Sequence, residues 1–111
     1  MPLNLAREYN GWTNRKIIGF YENYVRTVFK RYKDKVKYWL TFNEVNSVLH
    51  APFMLGGIAA PMEGLSKQEL YQAVHHELVG SASATKIGHE IKPEFKIACM
   101  VLAMPAYGMT A

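Results

Sequence analysis

In this sequence of 111 residues the side chains best suited to chemistry are Asn43 and Glu44, which close the segment Thr41-Phe42-Asn43-Glu44. A carboxyl group holds a transferable proton near neutral pH when burial or a neighbouring negative charge raises its pKa. A neutral amide beside it binds a hydroxyl group without competing for that proton. The pair therefore suits general acid/base work next to a bound hydroxyl. A glutamate at this kind of position also serves as an ordinary loop or cap residue, and position alone leaves both readings open.

Other clusters carry less. His75, His76 and His89 with Glu77 and Glu90 invite a metal reading, but adjacent histidines point to different faces of a helix. Gly80 stands where a His-Glu-x-x-His site starting at His76 would need its second histidine. These read as helix or interface histidines, and neither a metal nor a cofactor is expected. Cys99, inside an apolar run, reads as a small buried hydrophobe rather than a nucleophile. Gly56-Gly57 has no phosphate-cradling pattern around it, and Met54, Met62, Met100, Met104 and Met109 lack the helical spacing of a cofactor box.

Asn43 and Glu44 need rigid elements to aim them. Val36, Tyr38, Leu40 and Phe42 alternate with Lys37, Trp39, Thr41 and Asn43, which predicts a strand ending at the polar pair. Upstream, Ile18, Tyr21, Val25, Val28, Phe29 and Tyr32 recur at steps of three and four. That spacing predicts an amphipathic helix from Thr13 or Asn14 to about Lys33-Asp34. The opening, Met1 to Thr13, shows no clear period and reads as a loop.

Downstream, Val45 to Leu65 carries Pro52, Gly56-Gly57, Pro61 and Gly64 and reads as a long loop of the kind that is usually functional or disordered. Ser66-Lys67-Gln68-Glu69 is a capping box opening a second helix, with Leu70, Val74, Leu78, Ala82 and Ile87 along it and an end before Lys92-Pro93. Gly80 to Ala84 are small enough to let another element approach. Phe95 to Met104 is a nearly continuous apolar run, as expected of a strand buried on both faces.

The order helix, strand, helix, strand predicts an α/β fold with parallel strands and a right-handed crossover. Ligands of such sheets bind beyond the carboxyl ends of the strands, where Glu44 falls. Two parallel strands with two helices leave faces and edges uncovered, so the chain reads as part of a domain.

Half of the residues are hydrophobic and a fifth are charged, a balance that excludes a disordered or fibrous chain. The net charge of +4 comes largely from Arg26, Lys30, Arg31, Lys33, Lys35 and Lys37, a solvated helix end and turn. Nucleic acid is not an expected partner. The longest apolar run is shorter than the ~20 residues a membrane span needs, so no membrane partner is expected either. No signal peptide is expected after Met1, and with a single cysteine the reading favours the cytoplasm.

Tyr38-Trp39-Leu40-Thr41-Phe42-Asn43-Glu44 resembles the fourth strand of glycoside hydrolase family 1, an aromatic run ending in Thr-Phe-Asn-Glu. Gly11-Trp12-Thr13-Asn14-Arg15 is similar to that family's Gly-Gly-Trp-x-Asn-Arg segment, with Asn10 replacing the first glycine. The segment Tyr71 to Ile91, with His75-His76-Glu77-Leu78-Val79 and Thr85-Lys86-Ile87-Gly88-His89-Glu90-Ile91, resembles the family's 6-phospho-β-glucosidase branch. Val45-Asn46 is also similar to that branch, where the wider family commonly has proline after Asn-Glu. The likeness covers essentially the whole chain.

The resemblance implies a partial (β/α)8 TIM barrel: about the third helix, fourth strand, fourth helix and fifth strand, with residues 1–111 a fragment of one catalytic domain. It implies that Glu44 is the acid/base, protonating the leaving glycosidic oxygen and then activating water, and that Asn43 binds the sugar's 2-hydroxyl. Trp39 would be core or sugar-site wall. The family's nucleophile lies in a Glu-Asn-Gly-like segment on a later strand, and no Glu-Asn-Gly occurs here; Glu63-Gly64 reads as a turn. Gly108 departs from the proline that often follows the tyrosine matching Tyr107. The phosphate-binding residues of the branch also lie beyond this segment.

The implied partners are a phosphorylated β-glucoside in the intact parent and the remainder of the barrel. Met1 would then be an internal methionine of a truncated or split gene, and the chain alone would be inactive. The alternatives are a non-catalytic interaction module and one half of a complementing split enzyme.

Overall fold

The computed structural model describes residues 1–108, so Met109 lies outside the described residues. Four helices and two short strands order the described residues: α1 (Leu3–Tyr9), α2 (Lys16–Tyr32), β1 (Tyr38–Leu40), α3 (Pro52–Gly56), α4 (Lys67–Ile91) and β2 (Lys96–Ala98). Single 3₁₀ turns at Gly11–Thr13, Val45–Leu49 and Met62–Gly64 fill the connections.

The two strands are parallel, with Tyr38 opposite Lys96, Trp39 opposite Ile97 and Leu40 opposite Ala98. Their hydrogen bonding runs well past the three-residue strands. Lys96 N–H donates to Lys37 O at 2.9 Å, Thr41 N–H to Ala98 O at 2.9 Å, and Met100 N–H to Phe42 O at 3.0 Å. The expected strand up to Asn43 is thus present as a ladder, although regular strand geometry stops at Leu40.

α2 ends at Tyr32, close to expectation. It starts later than the sequence suggests, at Lys16, because Asn14 acts from two residues away: its Oδ1 accepts the Lys16 N–H at 3.0 Å. The capping box of α4 is formed in both directions. Ser66 Oγ accepts the Glu69 N–H at 3.2 Å, and Glu69 Oε2 accepts the Ser66 N–H at 2.8 Å. These bonds, from the Ser66 backbone first and its hydroxyl second, hold the Glu69 carboxyl below its ordinary pKa. Ser66→Ala is expected to lower stability by about 1 kcal/mol, read from chemical denaturation.

α4 is the spine. Its 25 residues make a rod about 37 Å long that touches both apolar clusters of the core. One cluster holds Trp12, Ile17, Ile18, Val48, Ile58, Leu70 and Ala73. The other holds Val25, Phe29, Ala84, Ile87 and Phe95, with Trp39 and Ile97 packed on it. Trp39 stacks edge-on against Phe29 at 4.9 Å between centroids, so its ring belongs to the core.

Four expectations change. Met1 to Thr13 is not a loop: Leu3–Tyr9 is helical, and Leu5 and Tyr9 are packed against the first cluster. Val45 to Leu65 is not irregular throughout, since α3 and two 3₁₀ turns break it into short ordered pieces. The buried face of α4 is Leu70, Ala73, Glu77, Gly80, Ala84 and Ile87, while Leu78 is 48% exposed. The small residues at 73, 80 and 84 let neighbours approach; a methyl group added at Gly80 would sit 3.2 Å from the Trp12 ring.

The fourth change concerns the last strand. Helices cover only one face of the two-stranded sheet, so β2 is not buried on both faces. On the other face Tyr38 is 74% and Leu40 63% exposed, beside the exposed Ala98. Cys99 is half-buried, not enclosed.

Candidate active site

Asn43 and Glu44 sit where the ladder of β1 gives way to the 3₁₀ turn Val45–Leu49. Glu44 adopts a left-handed backbone, φ 46° and ψ 50°, which non-glycine residues seldom occupy and which costs on the order of 1 kcal/mol or more. Three bonds hold it there. Val45 N–H donates to Met100 O at 3.1 Å and Met100 N–H to Phe42 O at 3.0 Å, so Met100, two residues past β2, grips the chain on either side of the pair. Ser47 N–H then donates to Glu44 O at 2.8 Å, closing the turn.

Asn46 adds a second grip. Its side-chain amide donates to Leu102 O at 3.0 Å and its Oδ1 accepts the Leu102 N–H at 2.9 Å, reproducing the bonding of a strand neighbour. The strain at Glu44 is thus balanced by contacts over-determining the turn, the pattern expected of a residue whose direction matters. Asn43 is exposed and Glu44 half-buried.

Asn43 borders a cleft of about 490 Å³ floored by Phe42, Trp12 and Tyr21 and rimmed by Phe20 and Tyr24. Glu44 is not part of that wall. Phe42 stacks on Trp12 and on Tyr21, with centroids 5.2 Å and 5.0 Å apart, so the residue before the polar pair is fixed by aromatic packing. A second cleft, lined by Lys33, Lys35, Lys37 and Lys92, lies at the opposite end of the strands.

Behind the pair, Thr41 is tied from three sides. Its carbonyl accepts the Tyr21 hydroxyl at 2.9 Å, its Oγ1 shares a hydrogen bond with Ser81 Oγ at 2.8 Å, and its N–H reaches Ala98 O. Burial first, and then the neighbouring Tyr24, Cys99 and Glu77, hold the Tyr21 phenol well above its ordinary pKa. The upstream segment contributes through Asn10, also left-handed at φ 54°, whose Oδ1 accepts the N–H groups of Ala59 and Ala60 at 2.9 and 3.0 Å.

The histidines hold structure together. His76 is buried between Trp12 O at 2.9 Å and Gln72 at 3.0 Å, and His89 meets Phe95 O at 3.1 Å. Among the described residues no group of three or more His, Cys, Asp or Glu side chains is arranged to hold a metal ion. No helix among them is long and apolar enough to cross a membrane.

Glu77, grouped by sequence with the histidines of α4, is a buried acid. It is 1% exposed, its Oε1 has no hydrogen-bond partner, and burial pushes its carboxyl up to about 8. The folded chain therefore keeps a proton that the unfolded chain, with a pKa near ~4.3, gives up. Stability should fall by about 1.4 kcal/mol for each pH unit between roughly pH 5 and pH 8, then level off. Denaturant titrations across that window check it, because Glu77→Gln should flatten the slope.

The sequence model of Glycosyl hydrolase family 1 matches residues 1–111. The chain is 69% identical over 109 residues to a 6-phospho-beta-glucosidase of Clostridium longisporum, which covers 98% of this chain and 23% of that relative. It is 57% identical over 112 residues to the aryl-phospho-beta-D-glucosidase BglH of Bacillus subtilis, covering 100% of this chain and 24% of that one. It is 46% identical over 101 residues to the 6-phospho-beta-glucosidase AscB of Escherichia coli, covering 91% and 21%. The chain thus spans about a quarter or less of the length of these curated relatives.

Proposed function

Because the chain belongs to glycosyl hydrolase family 1, we propose that it forms part of an enzyme that hydrolyses phosphorylated β-glucosides with retention of configuration. The observation carrying this reading is the 69% identity, across nearly all of these residues, to a 6-phospho-beta-glucosidase. In it, residues 1–111 are a segment of one catalytic domain and supply the third helix, fourth strand, fourth helix and fifth strand of a (β/α)8 barrel. The parallel pairing of β1 and β2 through α4 supports that placement.

Glu44 is the acid/base of this reading. It protonates the glycosidic oxygen as the bond to the aglycone breaks, then takes a proton from the water that opens the glycosyl-enzyme intermediate. Asn43 donates a hydrogen bond to the 2-hydroxyl, a contact that strengthens as the ring takes on oxocarbenium character. The strained turn at Glu44 and the open cleft at Asn43 support these roles. A retaining mechanism needs a second carboxylate about 5 Å away, and the Glu-Asn-Gly segment expected to carry it is not in this sequence.

A second reading is favoured by the exposed face of Tyr38 and Leu40 and by the two open strand edges: this chain complements another that brings the remaining strands. One experiment separates the cases. The 111-residue chain and a completed chain, in which residues 1–111 replace the matching segment of the Clostridium longisporum relative, are assayed with a chromogenic 6-phospho-β-glucoside. The completed chain should turn over and the isolated one should not. Turnover by the isolated chain, abolished by Glu44→Gln, would sink the first reading; restoration by a separately expressed remainder would support the second.

A further inference from the structure

Glu77 has no task in the reaction proposed above, yet its surroundings connect it to the end of β1. The seam of α4 runs through Leu70, Ala73, Glu77, Gly80, Ala84 and Ile87 at alternating steps of four and three, the spacing of an interior stripe. Glu77 interrupts that stripe with an acid whose Oε1 is buried and unpartnered. An apolar side chain would fit the spacing better.

Its flanks lie against the structure that carries Asn43 and Glu44. Ala73, one turn earlier, belongs to the cluster with Val48 of the turn after Glu44. Gly80, on the following turn, lies against Trp12 and Tyr21. Ser81, beside Gly80, bonds Thr41 Oγ1, and Tyr21 bonds Thr41 O, two residues before Asn43. Tyr21 from α2 is in electrostatic contact with Glu77, and Tyr24 and Cys99 lie around Tyr21; none of these three is a cation. The turn Val45–Leu49 contributes no titratable side chain, and His76 on α4 is engaged with Trp12 and Gln72.

We propose that Glu77, in its protonated form, is a positioning residue for Asn43 and Glu44: it lets α4 seat against β1, so that the bonds on Thr41 hold the strand end in register. This rests on the roles of Asn43 and Glu44 given above. Glu77 Oε1 has no hydrogen-bond partner and burial opposes its ionisation, so the closed seam disfavours the charged form, and opening the seam returns it to water. Seating is therefore linked to a proton, which the closed seam holds and the opened seam releases.

Amide hydrogen exchange on the completed chain tests this. Thr41 and Val45, whose N–H groups bond Ala98 O and Met100 O, report the strand end; Lys96, bonded to Lys37 O, reports the far end of the ladder. Protection at Thr41 and Val45 should drop about tenfold per pH unit between roughly pH 5 and pH 8, with a shallower drop at Lys96. Glu77→Gln should remove the drop. Glu77→Leu should do the same, which keeps the test decisive if the glutamine variant does not fold. Equal slopes at all three amides, or a slope that persists without the acid, would overturn the proposal. Hydrolysis measured on the same samples keeps the two readings apart: failure to cleave phospho-β-glucosides refutes the proposed function, whereas the exchange slopes alone decide whether Glu77 seats the strand end.

Discussion

Glu44→Gln in the completed chain is expected to lower kcat for alkyl 6-phospho-β-glucosides by roughly 10²- to 10⁴-fold, the usual contribution of a positioned general acid or base. The glutamine keeps the left-handed turn filled at nearly the same volume, so stability should change little. Chemistry supplies the sharper signature. A phenol acidic enough to leave unprotonated needs no help in the first step, so activated aryl substrates should still form the glycosyl-enzyme intermediate. The second step, which needs water deprotonated, should remain slow, and an initial burst should follow. A small anion that attacks without losing a proton should then restore turnover. A uniform loss across all leaving groups would point to a displaced strand end instead of a missing proton, and near-normal rates would remove Glu44 from the mechanism.

The largest effect on folding is expected at Gly11, through Gly11→Ala. Gly11 has φ +56°, and a Cβ there would overlap the backbone carbonyls of Gly56 and Gly57. Left-handed backbone costs an alanine about 1 kcal/mol, and forcing atoms into a packed interior adds roughly 1–3 kcal/mol. A loss of about 2–4 kcal/mol should appear in denaturant unfolding of the completed chain. Gly19, on an exposed stretch of α2 with open space around it, is the control. Gly19→Ala should be neutral or stabilising by up to ~1 kcal/mol. A loss under ~1 kcal/mol at Gly11 would mean that the opening segment is not pressed onto the Gly56-Gly57 turn.

Much of this was legible in residues 13 to 98, because the signals there are local. The capping box at Ser66, the period of α2 and the alternation before Asn43 each express contacts between near neighbours. The two polar residues at the end of β1 stood out by type and motif. The face of α4 differs from the one its large apolar residues suggest for a physical reason: Leu78 lies off the seam, which is built from Ala73, Gly80 and Ala84, whose smallness is the fit. α1 leaves no local signal because it is seven residues long, has no side-chain cap, and is helical by docking Leu5 and Tyr9.

The conformation of Glu44 could not have been read from its neighbours either. It depends on Met100 and Leu102, which no local pattern connects to it. Glu77 does carry a signal, an acid at an interior position of a helical stripe, which grouping it with the neighbouring helix histidines obscures.

That dependence also has an order in time. The grip of Asn46 on Leu102 joins residues 56 apart, and the bonds from the Thr41 N–H and hydroxyl to Ala98 O join residues 57 apart. A ribosome adding about 5–20 residues per second takes seconds to cover that distance, during which Asn43 and Glu44 have emerged but nothing yet holds them. α2 and β1 can be made early, whereas the working shape of the polar pair is set only once the second strand has followed. A pause in translation between the two strands would leave an acidic loop in place of a turn, and the rate of synthesis across α4 sets how long the nascent chain stays that way.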